Sequence, residues 1–154
     1  MNLLERFVLH HLQPTVLKAE VVRMVKDYGT QEAKVELSLA PRMLKADSGD
    51  ELPGYQVTAR LSCRSGGAGK DEPVFKAQVA FEAVYQQVSG EPVDIAEFTA
   101  NHASLTRQLY PLLQQELRVL MNRVGLEQIR LPYDLAAKVD LADNETVRVS
   151  GAVH

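Results

Sequence analysis

Residues 98–135 read FTANHASLTRQLYPLLQQELRVLMNRVGLEQIRLPYDL. Within them Leu109, Leu112, Leu113, Leu117, Leu120, Met121 and Val124 recur at spacings of three and four. That period gathers side chains on one face of an α-helix. Gln114, Gln115, Arg118, Asn122 and Arg123 fall mostly on the other face. Pro111 suits a first helical turn, where its missing N–H removes no hydrogen bond, so the pattern predicts that the long helix starts there. Gly125 stands where a left-handed residue would close it. The short apolar run from Ile129 to Tyr133 is expected to lie back beside the helix. Upstream, Asp94 and Glu97 have the spacing of an N-cap and its returning carboxylate, and a short helix over residues 98–109 is expected to precede the long one.

Everything before this stretch reads as strands on which the helix can pack. Ala33, Val35, Leu37 and Leu39 alternate with Lys34, Glu36 and Ser38, the period of a half-buried strand. Tyr55, Val57, Ala59, Leu61 and Cys63 form a second inward series, and Phe75, Ala77, Val79, Phe81, Ala83 and Tyr85 a third. Residues 15–26, TVLKAEVVRMVK, carry apolar side chains on both faces, with a bulge expected near Val21 and Val22. For residues 1–14 a short amphipathic helix ending before Pro14 and a first strand are both open. Turns are expected at Tyr28-Gly29-Thr30 and from Ser65 to Lys70. Residues 40–54 read as a long crossover loop with two apolar outliers, Met43 and Leu44. Periodicity fades after Leu141, which suggests a domain over residues 1–141, ending in a short helix, and a polar tail over 142–154. Strands followed by helices define an α+β fold: a four-stranded antiparallel sheet with a long C-terminal helix and short flanking helices on one face.

The chain has 154 residues, with 17 Lys+Arg against 20 Asp+Glu. A formal charge of −3 argues against nucleic acid as the main partner. No apolar run approaches the length that spans a bilayer, and the N-terminus lacks the pattern of a signal peptide. The lone cysteine, Cys63, excludes an internal disulfide framework and fits a reducing cytoplasm. His10 and His11 are adjacent and point apart, and His102 is poorly spaced from Glu97, so no metal site is expected. Residues 66–70, GGAGK, lack the spacing of a phosphate-binding loop. Without a nucleophile–base pair or a dinucleotide loop, no cofactor is expected, and an enzyme or small-ligand carrier is the weaker reading.

Apolar residues remain where a core does not obviously need them: Met43, Leu44, Leu126, Ile129, Leu131, Tyr133 and Leu135. They either roof the sheet or line an exposed apolar groove, a feature that usually binds something. The order Tyr110-Pro111, a helix carrying Glu116, an Arg123-Val124-Gly125 end and a Leu/Ile-x-Leu-x-Pro-like tail resembles the protein-export chaperone family SecB. The resemblance extends over roughly residues 17–135, as a pattern of elements with few identities. It implies an ATP-independent holdase that binds unfolded polypeptide through apolar grooves and assembles as a homotetrameric dimer of dimers. Carried over, the client-binding positions are Met43, Leu44, Tyr55, Leu126, Ile129, Leu131, Tyr133 and Leu135. The family docks on the SecA motor through acidic and apolar residues on the outer sheet face. Here the corresponding partner-binding positions are Glu20, Lys76 and Gln78. Glu20 keeps an acid, whereas Lys76 and Gln78 stand where the family has an apolar residue and an acid. The alternative to a general holdase is therefore a SecB-like interaction module dedicated to one partner protein and not coupled to SecA.

Overall fold

The computed structural model describes residues 1–28, 33–44, 51–66, 72–132, 139–143 and 146–153, the last two ranges by backbone alone. Strand β1 (Phe7–Val21) is followed by β2 (Ala33–Leu44), β3 (Gly54–Ser65) and β4 (Phe75–Gln87). β2, β3 and β4 pair antiparallel in sequence order, and β1 returns to lie antiparallel beside β4. Three consecutive strands with a fourth brought back beside them make a Greek key. Two helices come after β4: the short α1 (Ile95–Ala100) and the long α2 (Ala103–Arg123). The α+β architecture read from the periodicity is present.

The alternation set the inward face correctly. Val35, Leu37, Tyr55, Val57, Ala59, Leu61, Cys63, Phe75, Val79, Ala83 and Tyr85 are all fully buried. From the helix side, Leu105, Leu109, Leu113, Leu117 and Met121 complete the core. Leu120 is only partly buried at the margin of this stripe. Where the strands approach α1, Tyr55 stacks on Phe98 with ring centroids 4.2 Å apart, and Phe7 meets Phe98 edge-on at 5.2 Å. The Tyr55 hydroxyl donates to the Val93 carbonyl, and the Tyr85 hydroxyl donates to Gln108 Oε1 at 2.7 Å. Buried Gln87 holds the turn into α1. Its amide nitrogen donates to the Ser89 and Glu91 carbonyls, and its amide oxygen accepts from the Val93 N–H. Asp94 caps α1 as its spacing suggested, accepting from the Glu97 N–H at 2.8 Å.

Of four local points, the first settles an open alternative and the other three correct an expectation. Residues 7–21 are strand throughout, preceded by a single 3₁₀ turn over Leu3–Glu5. Their helical spacing is misleading because register shifts between Leu9 and His11 and between Pro14 and Val16 break the strict two-residue alternation. Pro14 is tolerated because β1 is an edge strand. Second, β2 continues through Ala40-Pro41-Arg42-Met43-Leu44, where the sequence suggests a loop. Third, α2 begins at Ala103, so Pro111 lies inside it. The bond lost to the Arg107 carbonyl is tolerable there because both residues are exposed to water. Fourth, the segment expected to be a short helix and polar tail forms β5 (Val139–Asp143) and β6 (Thr146–Val153). β6 pairs with residues Ala33 to Leu39 of β2, giving the order β1-β4-β3-β2-β6-β5. Beyond Leu39, β2 has no partner on that side among the described residues, which is where Pro41 sits. The expected turn residues Gly29 and Thr30 and most of the 65–70 hairpin lie outside the described residues. Among the described residues no helix is long and apolar enough to cross a membrane.

Burial gives the fold a defined response to alkali. Burial and then the charges of Asp94 and Glu97 push the Tyr55 hydroxyl up to about 12. Burial alone pushes the Cys63 thiol up to about 12 and also raises Tyr85. These groups hold their protons in the folded state at a pH where the unfolded chain releases them. Their contribution is therefore complete below the unfolded values, roughly 8.5 for a thiol and 10 for a phenol, and is lost as pH rises through the folded ones. Urea midpoints should stay level to about pH 8.5 and fall steadily above it. Tyr85→Phe should shallow that fall, and identical slopes would exclude Tyr85 as a contributor.

Candidate polypeptide-binding surface

The end of α2 fixes the course of the chain beyond it. Gly125 has φ of +81°, the left-handed conformation expected of it. The Leu126 N–H donates to the Met121 carbonyl at 2.9 Å and the Gly125 N–H to the Asn122 carbonyl at 3.2 Å. This pair of bonds is a Schellman cap. It reverses the chain, and Leu126 drops into the core with no exposed surface. Residues 126–132 then run back along α2. Ile129 is 6% exposed, and Leu131 is partly buried. At the far end the Pro132 carbonyl accepts from both the Tyr110 hydroxyl and the Gln114 amide. Between helix and return segment lies a groove of about 390 Å³, lined by Gln114, Arg118, Asn122, Glu127, Ile129, Arg130 and Leu131. Its apolar lining comes from Ile129 and Leu131, and its other walls are amide and charged side chains.

The eight positions expected to bind clients are thus divided. Ile129 and Leu131 line the groove, with Leu126 buried beside them. Met43 and Leu44 do not line it. As neighbours in a strand they face opposite sides of the sheet, which a loop would not have required. Met43 pairs with Tyr55 and is 49% exposed. Leu44 approaches Gly54 on the other side. Tyr55 is fully buried in the aromatic cluster and presents no surface. Tyr133 and Leu135 lie outside the described residues. The groove's polar wall is visible in the sequence only as the polar face of the long helix, which by spacing alone suits solvent or an interface equally.

Other apolar surface is exposed elsewhere. Leu112 and Val119, seven residues apart on α2, are 38% and 41% exposed. Val8 and Leu17, on opposite faces of β1, are each 50% exposed. The signal for the latter is the presence of apolar residues on both faces of that strand.

Glu20, Lys76 and Gln78 come together on the sheet face turned away from the helices. Glu20 pairs with Lys76 across β1 and β4, with an N–O distance of 3.6 Å. Gln78 lies two residues along, opposite Lys18. Cys63, Asp94 and His102 have structural roles. Cys63 is buried with its thiol raised, as an inert core residue would be. Asp94 is a helix cap, and the His102 ring nitrogen Nδ1 contacts the Thr99 carbonyl at 3.0 Å.

No protein-family model matches this chain, and no curated protein sequence matches it. Its fold, however, matches that of the SecB-like chaperone of Mycobacterium tuberculosis, solved in complex with a ChAD peptide from the HigA1 antitoxin. The TM-score is 0.59 at 22% identity, over 86% of this chain and 93% of that one. The fold is SecB-like, as the layout of the long helix and its flanking strands suggested.

Proposed function

We propose that this protein is an ATP-independent chaperone that holds non-native polypeptide, using the groove between α2 and the return segment. The observation that carries this reading is the groove itself, with apolar Ile129 and Leu131 set among polar walls. Short apolar stretches of an unfolded chain can displace water from such a surface. Amides and charges on the walls can meet the client backbone without selecting a sequence. Met43 is proposed as a separate contact on the sheet, and Tyr133 and Leu135 continue the apolar series of the return segment in sequence. The protein then acts by binding, not as an enzyme, and works in the cytoplasm.

Filling the groove with Asn122→Trp, or stripping it with Leu131→Ser, should weaken binding of a permanently unfolded polypeptide by about tenfold or more, roughly 1.4 kcal/mol. Calorimetric titration beside far-ultraviolet circular dichroism checks this. Unchanged affinity in both folded variants would remove the groove from the function.

A second reading is an interaction module dedicated to one partner protein and uncoupled from SecA. The M. tuberculosis chaperone, solved with a peptide from a single antitoxin, favours it, as does a basic residue, Lys76, where SecA-docking relatives have none. Suppressed aggregation of many unrelated clients supports the general holdase, and binding of one protein alone supports the dedicated module. For assembly we propose a homotetramer built as a dimer of dimers. The exposed Leu112 and Val119 on α2 and the open, apolar β1 edge are surfaces that association would cover. A monomeric native mass at micromolar concentration would overturn this part.

A further inference from the structure

The sheet face opposite the helices carries an arrangement that the groove does not use. Lys34 on β2 stands opposite Arg64 on β3, and Arg64 stands opposite Lys76 on β4. Three cations therefore occupy consecutive positions of one cross-strand row, each roughly 4.5–5.5 Å from the next at Cβ. The row ends at Glu20, which pairs with Lys76. One register step away, Lys18 lies opposite Gln78, and a depression of about 340 Å³ is bounded by Lys18, Glu36, Ser62, Arg64, Lys76 and Gln78. Lys18, Lys34, Arg64 and Lys76 are all exposed. Neither Lys34 nor Arg64 has an ion-pair partner among the described residues.

Like charges directly opposite one another destabilise a sheet. In a chain whose formal charge is −3, this concentration is offset among the described residues only by the pair of Lys76 with Glu20. It raises the local potential at one end of an otherwise mildly acidic molecule.

We infer that this face is a second binding surface, for an acidic, extended segment of a partner polypeptide. The carboxylates of such a segment would lie along Lys34, Arg64 and Lys76, with Ser62 and Gln78 available to its backbone. A peptide fits better than nucleic acid. The patch is a single short row, Glu20 and Glu36 interrupt its margins, and the chain as a whole repels a long polyanion. The surface is separate from the groove, so either can fail without the other.

The test uses the full chain and a fluorescently labelled oligoglutamate peptide in low salt, followed by anisotropy. Binding should be measurable and should weaken steeply as salt is added. The double variant Lys34→Glu with Arg64→Glu should lose about tenfold or more in affinity, roughly 1.4 kcal/mol. Lys34→Arg with Arg64→Lys should retain it, and the groove variant Leu131→Ser should bind the acidic peptide like the wild type. All these positions are at least partly exposed, and circular dichroism confirms that each variant is folded. Absence of binding, equal affinity of the charge-reversed variant, or tighter binding of a single-stranded oligonucleotide than of the peptide would each overturn the inference.

Discussion

Replacing Phe98 with alanine should destabilise the protein by about 3–5 kcal/mol, the range for emptying a buried aromatic site. Phe98 has no exposed surface. Its ring stacks on Tyr55 at 4.2 Å and meets Phe7 at 5.2 Å and Tyr85 at 6.4 Å. It therefore joins three strands, β1, β3 and β4, to α1. A methyl group cannot fill the space, and the neighbouring tyrosines are poorly free to collapse into it. The Tyr55 hydroxyl is tied to the Val93 carbonyl, and the Tyr85 hydroxyl to Gln108. Urea unfolding should show a reduced midpoint with an unchanged slope, and the near-ultraviolet dichroism of the tyrosines should fall. A loss below about 1 kcal/mol would mean that the cluster does not anchor α1.

Leu117→Ala should cost about 2–5 kcal/mol, because its side chain is fully buried between helix and sheet. Leu120→Ala should cost less, since Leu120 is partly exposed at the margin of the stripe. Gln115→Ala, at an exposed helical position, should change stability by no more than about 0.5 kcal/mol. The order Leu117, Leu120, Gln115 in thermal melts checks the helix rotation. Equal losses at Leu117 and Gln115 would mean that the core lies against a different face of the helix.

The sheet was legible where alternation was unbroken. β3 and β4 follow a strict period of two, and every inward residue named from that period is buried or nearly so. The first half of β1 stayed open between helix and strand because the register shift between Leu9 and His11 breaks its alternation, whereas its second half read as strand. The far end of β2 hid behind Pro41, a residue that ordinarily marks a strand's limit but is harmless beside an unpaired edge. Pro111 misled in the same way, because local chemistry permits it at a helix start and only tertiary packing carries the helix back to Ala103. Of the site, the return segment and its glycine cap were readable because a cap has a fixed chemistry. Met43 and Leu44 face opposite sides of the sheet, which their sequence did not reveal because two adjacent side chains can share a surface in a loop but not in a strand. The cationic row was invisible by its nature, since Lys34, Arg64 and Lys76 become neighbours only through strand register.

The Pro132 carbonyl, accepting at once from Tyr110 and Gln114, makes the return segment a strap fastened at both ends: by the glycine reversal at one and by a single buckle at the other. The width of the groove is then set by the number of residues between the two fastenings. A residue inserted between Leu126 and Pro132 would slacken the strap with every lining side chain retained, and a residue deleted there would draw it shut against the helix. Related chains could thus differ in the girth of the segment they hold while keeping the same groove chemistry.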